Sequence, residues 1–183
     1  AMCEEAAIDV VVEATGDPVI GVAHADAAIK AGLHIVMVNV EADVLAGALM
    51  ARKAKAAGVV YSMAYGDQPA LICELVEWAQ ACGFDVVAAG KGTKYLASYH
   101  SSTPETVWEH YGFTPSQAAK GGMNSKMFNS FLDGTKSALE MAAVANATFL
   151  TQGPQGLAFP AVGVDALASV LRPQKNGGCL HHK

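Results

Sequence analysis

The stretch IDVVVEATGDPVIGVAHADAAIKAGLHIVMVN, residues 8–39, decides the fold. Its two ends, 8–14 (IDVVVEA) and 33–39 (LHIVMVN), are short β-branched apolar runs, the pattern of strands buried on both faces of a parallel sheet. Between them Asp17 stands at a capping position, Pro18 at the first helical position and Gly32 after the last turn, so 18–31 reads as a helix. Together they make one β-α-β unit. The pattern continues outward with a helix over about 43–57 stopped by Gly58, a strand over 59–64, a helix over about 69–82 followed by Gly83, and a strand over 84–89. Strands separated by helices imply right-handed crossovers and a parallel sheet.

With 183 residues, 52% hydrophobic and 16% charged, the chain has material for one sizeable core and a partial second one, which excludes global disorder. No apolar run approaches the roughly 18–20 residues that a membrane span needs. The four cysteines (Cys3, Cys73, Cys82, Cys179) show no CxxC spacing, and the first residues lack the charged and apolar regions of a secretory signal. The expectation is a reducing cytoplasm, no disulfide framework and no membrane partner.

The net charge of −5 is uneven: residues 1–89 carry −8 and residues 90–183 carry +3. Five of the eight bases in the second half are Lys91, Lys94, Lys120, Lys126 and Lys136, with no arginine among them. A lysine cluster of this kind suits a small anion; a nucleic-acid surface would mix in arginine and raise the pI, so no nucleic-acid partner is expected.

After residue 90 the period changes. Residues 95–111 are aromatic and polar, with Pro104 and Glu105 opening a short helix that carries Trp108. A loop through Lys120-Gly121-Gly122 leads into the longest helical pattern, about 125–147. There Lys126, Asn129, Asp133, Lys136 and Glu140 recur at steps of 3, 4, 3 and 4, one face of a helix, with Met127, Phe131, Ala138 and Met141 on the other. A solvated stripe over an apolar one has the same spacing, so the spacing alone leaves a site and a plain surface both open.

Residues 8–94 resemble the homoserine dehydrogenase family, through Asp9-Val10-Val11-Val12-Glu13-Ala14-Thr15-Gly16, Ala31-Gly32-Leu33-His34-Ile35-Val36, Asn39, and the run from Gly90 to Tyr95. The resemblance implies an NAD(P)-dependent oxidoreductase. Two departures speak against homoserine as substrate. Members of that family commonly place a lysine after the asparagine, and here Val40 and Glu41 follow Asn39. The family's Asp and Lys four residues apart align with Lys136 and Glu140, with the charges exchanged. A pocket for a substrate ammonium does not suit that exchange; a phosphorylated or carboxylated polyol does.

The whole chain is more similar to a branch of that family with a C-terminal SAF domain, the deoxyxylulose-phosphate reductoisomerase-like and apionate oxidoisomerase-like enzymes. The matching segments are Tyr61-Ser62-Met63-Ala64-Tyr65-Gly66-Asp67-Gln68-Pro69, residues 121–131 (GGMNSKMFNSF), and Leu171-Arg172-Pro173 running into Gly177-Gly178. This resemblance implies a homo-oligomer, such as a dimer, and a role near isoprenoid precursors. The expected architecture is α/β: an incomplete Rossmann-like doubly wound sheet (1–90), a mostly helical α+β catalytic domain (91–172), and the start of a truncated SAF-like segment (173–183). No GxGxxG occurs and the chain stops at Lys183, so a fragment lacking both ends, and inactive on its own, is expected.

An oxidoisomerase must shift a proton, polarise a carbonyl and transfer a hydride in a dry crevice at the carboxyl ends of the strands. Ala14, Thr15, Gly16, Asn39, Val40 and Glu41 end two successive strands and are the cofactor-facing candidates, for NAD or NADP; Gly16 is equally explained as a turn glycine. The catalytic candidates are Lys136, Glu140, Asp133 and Lys126. Lys91 and Lys94 leave the last expected strand and can bind a phosphate or carboxylate as point charges, or simply face solvent. Lys120, Asn124, Ser125 and Lys126, with Asn129, surround the start of the long helix, where free N–H groups favour an anion. Asp67 and Gln68 precede Pro69, and Asp67 reads as an N-cap as readily as a substrate contact. No HxxxH, HExxH or paired Cys/His spacing appears, so no metal ligands are assigned; a divalent ion held by few carboxylates is compatible but unsupported. The competing readings are homoserine dehydrogenase and, in another class, a non-catalytic binding module.

Overall fold

The computed structural model describes residues 7–158 and 160–181. The readings that rest on Cys3, on the first six residues and on Lys183 lie outside the described residues. Strand β1 (Val10–Glu13) leads into helix α1 (Pro18–Lys30), β2 (His34–Met37), α2 (Val40–Ala57), β3 (Tyr61–Met63) and α3 (Gln68–Ala81). Then come α4 (Val107–Tyr111), α5 (Pro115–Lys120), α6 (Ser125–Leu132), α7 (Thr135–Thr148) and α8 (Leu167–Val170). Among the described residues the three strands form one parallel sheet in the order β1-β2-β3, with Val11 opposite Ile35 and Ile35 opposite Tyr61. The fold is thus α/β, a partial Rossmann-like sheet followed by a mostly helical region.

The local chemistry behind the first unit is visible atom by atom. Asp17 Oδ1 accepts from the Ile20 N–H at 2.8 Å, Pro18 needs no partner at the first helical position, and Gly32 takes φ 78° so that Leu33 N–H can return to Ala28 O. Helix α2 begins at Val40 rather than near Asp43, because the Asn39 side chain caps it by accepting from the Ala42 N–H.

One face of the sheet is the core: Val11, Ile35 and Met37 pack against Ala25, Ala28 and Ile29 of α1 and Ala42, Met50 and Ala54 of α2. The strands were expected to be buried on both faces. Instead Val10 and Val12, on the opposite face, are 47% and 63% exposed, because α1 and α2 lie on the same side and among the described residues no element covers the other.

Two further expectations are corrected. Residues 84–89 form no strand: Phe84 N–H closes the end of α3 on Ala79 O, and Val86 and Ala89 pack on the α3–α7 seam with Ile72, Val76 and Val144. The expected helix over 125–147 is two helices, α6 and α7. Gly134 sits between them at φ 88°, and Asp133 Oδ1 accepts the Thr135 N–H, which starts a new helix in a new direction. A third cluster, Val107, Trp108, Ala118 and Leu132 with Phe128 between Trp108 and Tyr111, holds α4 to α6. No helix among the described residues is long and apolar enough to cross a membrane.

Candidate functional site

Three polar groups lie around the sheet, each joining different elements. The first surrounds Glu13, the last residue of β1, which is only 2% exposed. Its Oε1 accepts from the Thr15 hydroxyl at 2.6 Å, the Thr15 N–H at 3.2 Å, and lies 3.3 Å from His24 Nδ1 on α1. Oε2 is buried with no hydrogen-bond partner. Burial pushes the Glu13 carboxyl up, but the hydrogen bonds from Thr15, with the Asn39 amide and His24 close by, outweigh it and the net direction is down. Only glycine fits at position 21 of α1: a Cβ there would stand 2.6 Å from Asn39 Nδ2 and 3.0 Å from Glu13 Oε2.

Asn39 fixes the neighbouring strand end. Its Nδ2 donates to Asp17 O at 2.8 Å while its Oδ1 holds α2, so its side chain ties the starts of α1 and α2 together. Ala14, Thr15 and Gly16 form an exposed turn beside it; Val40 is buried and Glu41 is half-buried. The second group is Asp43 with Tyr61. The Tyr61 hydroxyl donates to Asp43 Oδ1 at 2.9 Å. Burial raises the Asp43 carboxyl and Tyr61 partly offsets it; burial and then the Asp43 charge drive the Tyr61 phenol up as well. A cavity of about 10 Å³, room for one water, lies against Asp43, Met63, Asp67 and Pro69. Asp67 caps α3 through the Gln68 N–H, and Gln68 is exposed.

The third group links the sheet to the helical region. Glu140 on α7 is 2% exposed although charged. Its Oε2 is in close contact with Lys91 Nζ, and its Oε1 lies 3.9 Å from Lys136 Nζ one turn earlier. Lys136 Nζ is also 3.7 Å from Glu41 Oε1, in the first turn of α2. Four candidates from three segments therefore form one alternating chain, Lys91–Glu140–Lys136–Glu41. It forms because α7 packs on both α2 and α3, which brings its first turns to the end of β2.

The other candidates lie elsewhere. Asp133 is occupied at the α6–α7 junction, where Oδ2 accepts from Asn129 Nδ2 at 2.9 Å. Asn129 is buried with its Oδ1 unpartnered. At the start of α6 the Lys126 and Met127 N–H groups already donate to Asn124 Oδ1. Lys94, Lys120 and Lys126 are exposed and, among the described residues, none of the three has an ion pair; Ser125 is half-buried. Glu13, Asp43 and Tyr61 were missed from the sequence; for Glu13 a signal existed, since a carboxylate ending the run VVV of a buried strand needs an explanation. Among the described residues no three His, Cys, Asp or Glu side chains gather as metal ligands would.

Comparison with known proteins adds one finding. Residues 66–183, more than half of the chain, match the family model described as "Oxidoreductase DRL, catalytic domain". The matched segment carries Lys91, Lys136 and Glu140 but not Glu41. No curated protein matches the chain.

Proposed function

The chain belongs to the Oxidoreductase DRL catalytic-domain family and is an oxidoreductase; on that premise we propose that it moves a hydride between NAD or NADP and a small anionic polyol, sugar acid or sugar phosphate, with isomerisation of its carbon skeleton. The observation that carries this reading is the buried carboxylate of Glu140 shared between Lys91 and Lys136 beside the carboxyl end of β2. A buried charge is costly unless it is paired, so a chain retains one where it holds other charges in place. Here the groups held are two ammonium ions on the side of the sheet where α/β proteins bind ligands.

The residues divide the work. Lys136 faces the substrate oxygen, polarising a carbonyl or balancing an anionic group. Glu140 is a positioning residue that holds Lys91 and faces Lys136 one helical turn earlier, and Lys91 neutralises it. The exposed turn Ala14-Thr15-Gly16 lies at the end of β1, with nothing within 4 Å of where a Gly16 side chain would stand, and this open edge fits a nicotinamide-bearing ligand. When bound, the nicotinamide supplies or accepts the hydride. Thr15, oriented by its bond to Glu13, and the α2 cap at Asn39 form the wall of that crevice.

The test is the change in absorbance of NADH or NADPH when the full-length protein is mixed with deoxyxylulose phosphate, apionate or homoserine-pathway substrates. Turnover with the anionic polyols and none with the amino-acid substrates is expected. Absence of turnover with all of them would count against the proposal.

A further inference from the structure

The two counter-ions of Lys136 are not equivalent. Glu140 is 3% exposed in its side chain and is held by Lys91, so it has no other place to go. Glu41 is 31% exposed and touches Lys136 only loosely, at 3.7 Å. Charge-assisted N–H···O bonds run at about 2.7–2.9 Å, so at 3.7 and 3.9 Å neither carboxylate makes one with the Lys136 ammonium. Glu41 also has a stable alternative position. It lies in the first turn of α2, where the helix dipole favours a carboxylate, with a path to solvent.

Counting charges gives the consequence. Lys91, Lys136, Glu140 and Glu41 sum to zero; with Glu41 turned outward the three that remain carry one positive charge. That is the charge complement of a single oxyanion. We propose that Glu41 is a displaceable internal counter-ion: it occupies Lys136 when the site is empty, and an incoming oxyanion, carboxylate or phosphate, displaces it. The inference rests on the proposed role of Lys136 as the oxyanion contact. Glu41 thereby sets the affinity for anions and the selection against neutral ligands, because only a ligand that brings its own negative charge replaces what Glu41 supplies.

Inorganic phosphate titrated calorimetrically into the full chain tests this without knowledge of the substrate. Glu41→Gln keeps the size and the partial exposure of the side chain, so the fold is retained. The variant is expected to bind phosphate at least about fivefold more tightly than the wild type. Glu109→Gln, on the exposed face of α4, removes the same charge from the whole molecule and is expected to change nothing. Equal affinity of Glu41→Gln and wild type, or the same gain in Glu109→Gln, overturns the inference while leaving Lys136 as an anion contact. Lys136→Met is expected to abolish binding. Full phosphate binding by that variant, or none by either wild type or Glu41→Gln, removes the role of Lys136 and the inference with it.

Discussion

Asp43, 7% exposed, occupies the first turn of α2 with one hydrogen bond from Tyr61 and, among the described residues, no paired cation. Its pKa is raised above 3.8 chiefly by burial. A raised carboxyl contributes stability that is fully present below its unfolded value and is lost as pH climbs through the folded one. Asp43→Asn keeps an acceptor for Tyr61 and removes the titration. Its urea midpoint is therefore expected to gain on the wild type as pH rises from about 4 to about 8, and parallel curves would refute the assignment. The same carboxyl dictates its neighbour one turn on. A Cβ at Gly47 would sit 2.3 Å from Asp43 Oδ1, so Gly47→Ala, which at an open helix position would stabilise, is expected to destabilise by about 1–3 kcal/mol in denaturant titrations.

At the scale of elements, local signals and remote ones separate cleanly. The unit β1-α1-β2 was legible because Asp17, Pro18 and Gly32 act within a few residues of themselves. Residues 84–89 looked equally strand-like, but a strand needs a ladder partner, and whether one is present is decided elsewhere in the chain. The break between α6 and α7 was hidden by the stripe from Lys126 to Glu140, although Asp133-Gly134 is itself a turn signal. Of the candidate site, Lys136 and Glu140 were legible as an i, i+4 pair; their meeting with Lys91 and Glu41 depends on α7 packing between α2 and α3, which no local pattern states. The junction makes a prediction of its own. Gly134 takes φ 88°, a region that costs other residues about 1–2 kcal/mol, so Gly134→Ala should lower stability by that amount on thermal melting. The converse holds at Phe149, which ends α7 at φ 61° and is 91% exposed: Phe149→Gly relieves that cost and should raise stability slightly.

Across the whole molecule, the sheet and the helical region meet where α7 packs on α2 and α3, and one buried acid lies at that seam. Glu140 holds Lys91 from the segment after α3 and faces Lys136, which faces Glu41 on α2, so the packing of α7 and the assembly of the site are the same event. This is why the family match, which lies in the second part of the chain, and the sheet of the first part converge on a single edge. The most direct measurement is kcat/KM for NADPH-dependent turnover by Lys136→Ala beside the wild type. A fall of at least about tenfold in the full-length enzyme, roughly 1.4 kcal/mol of transition-state stabilisation, is expected. Wild-type kinetics in a folded Lys136→Ala protein would contradict it.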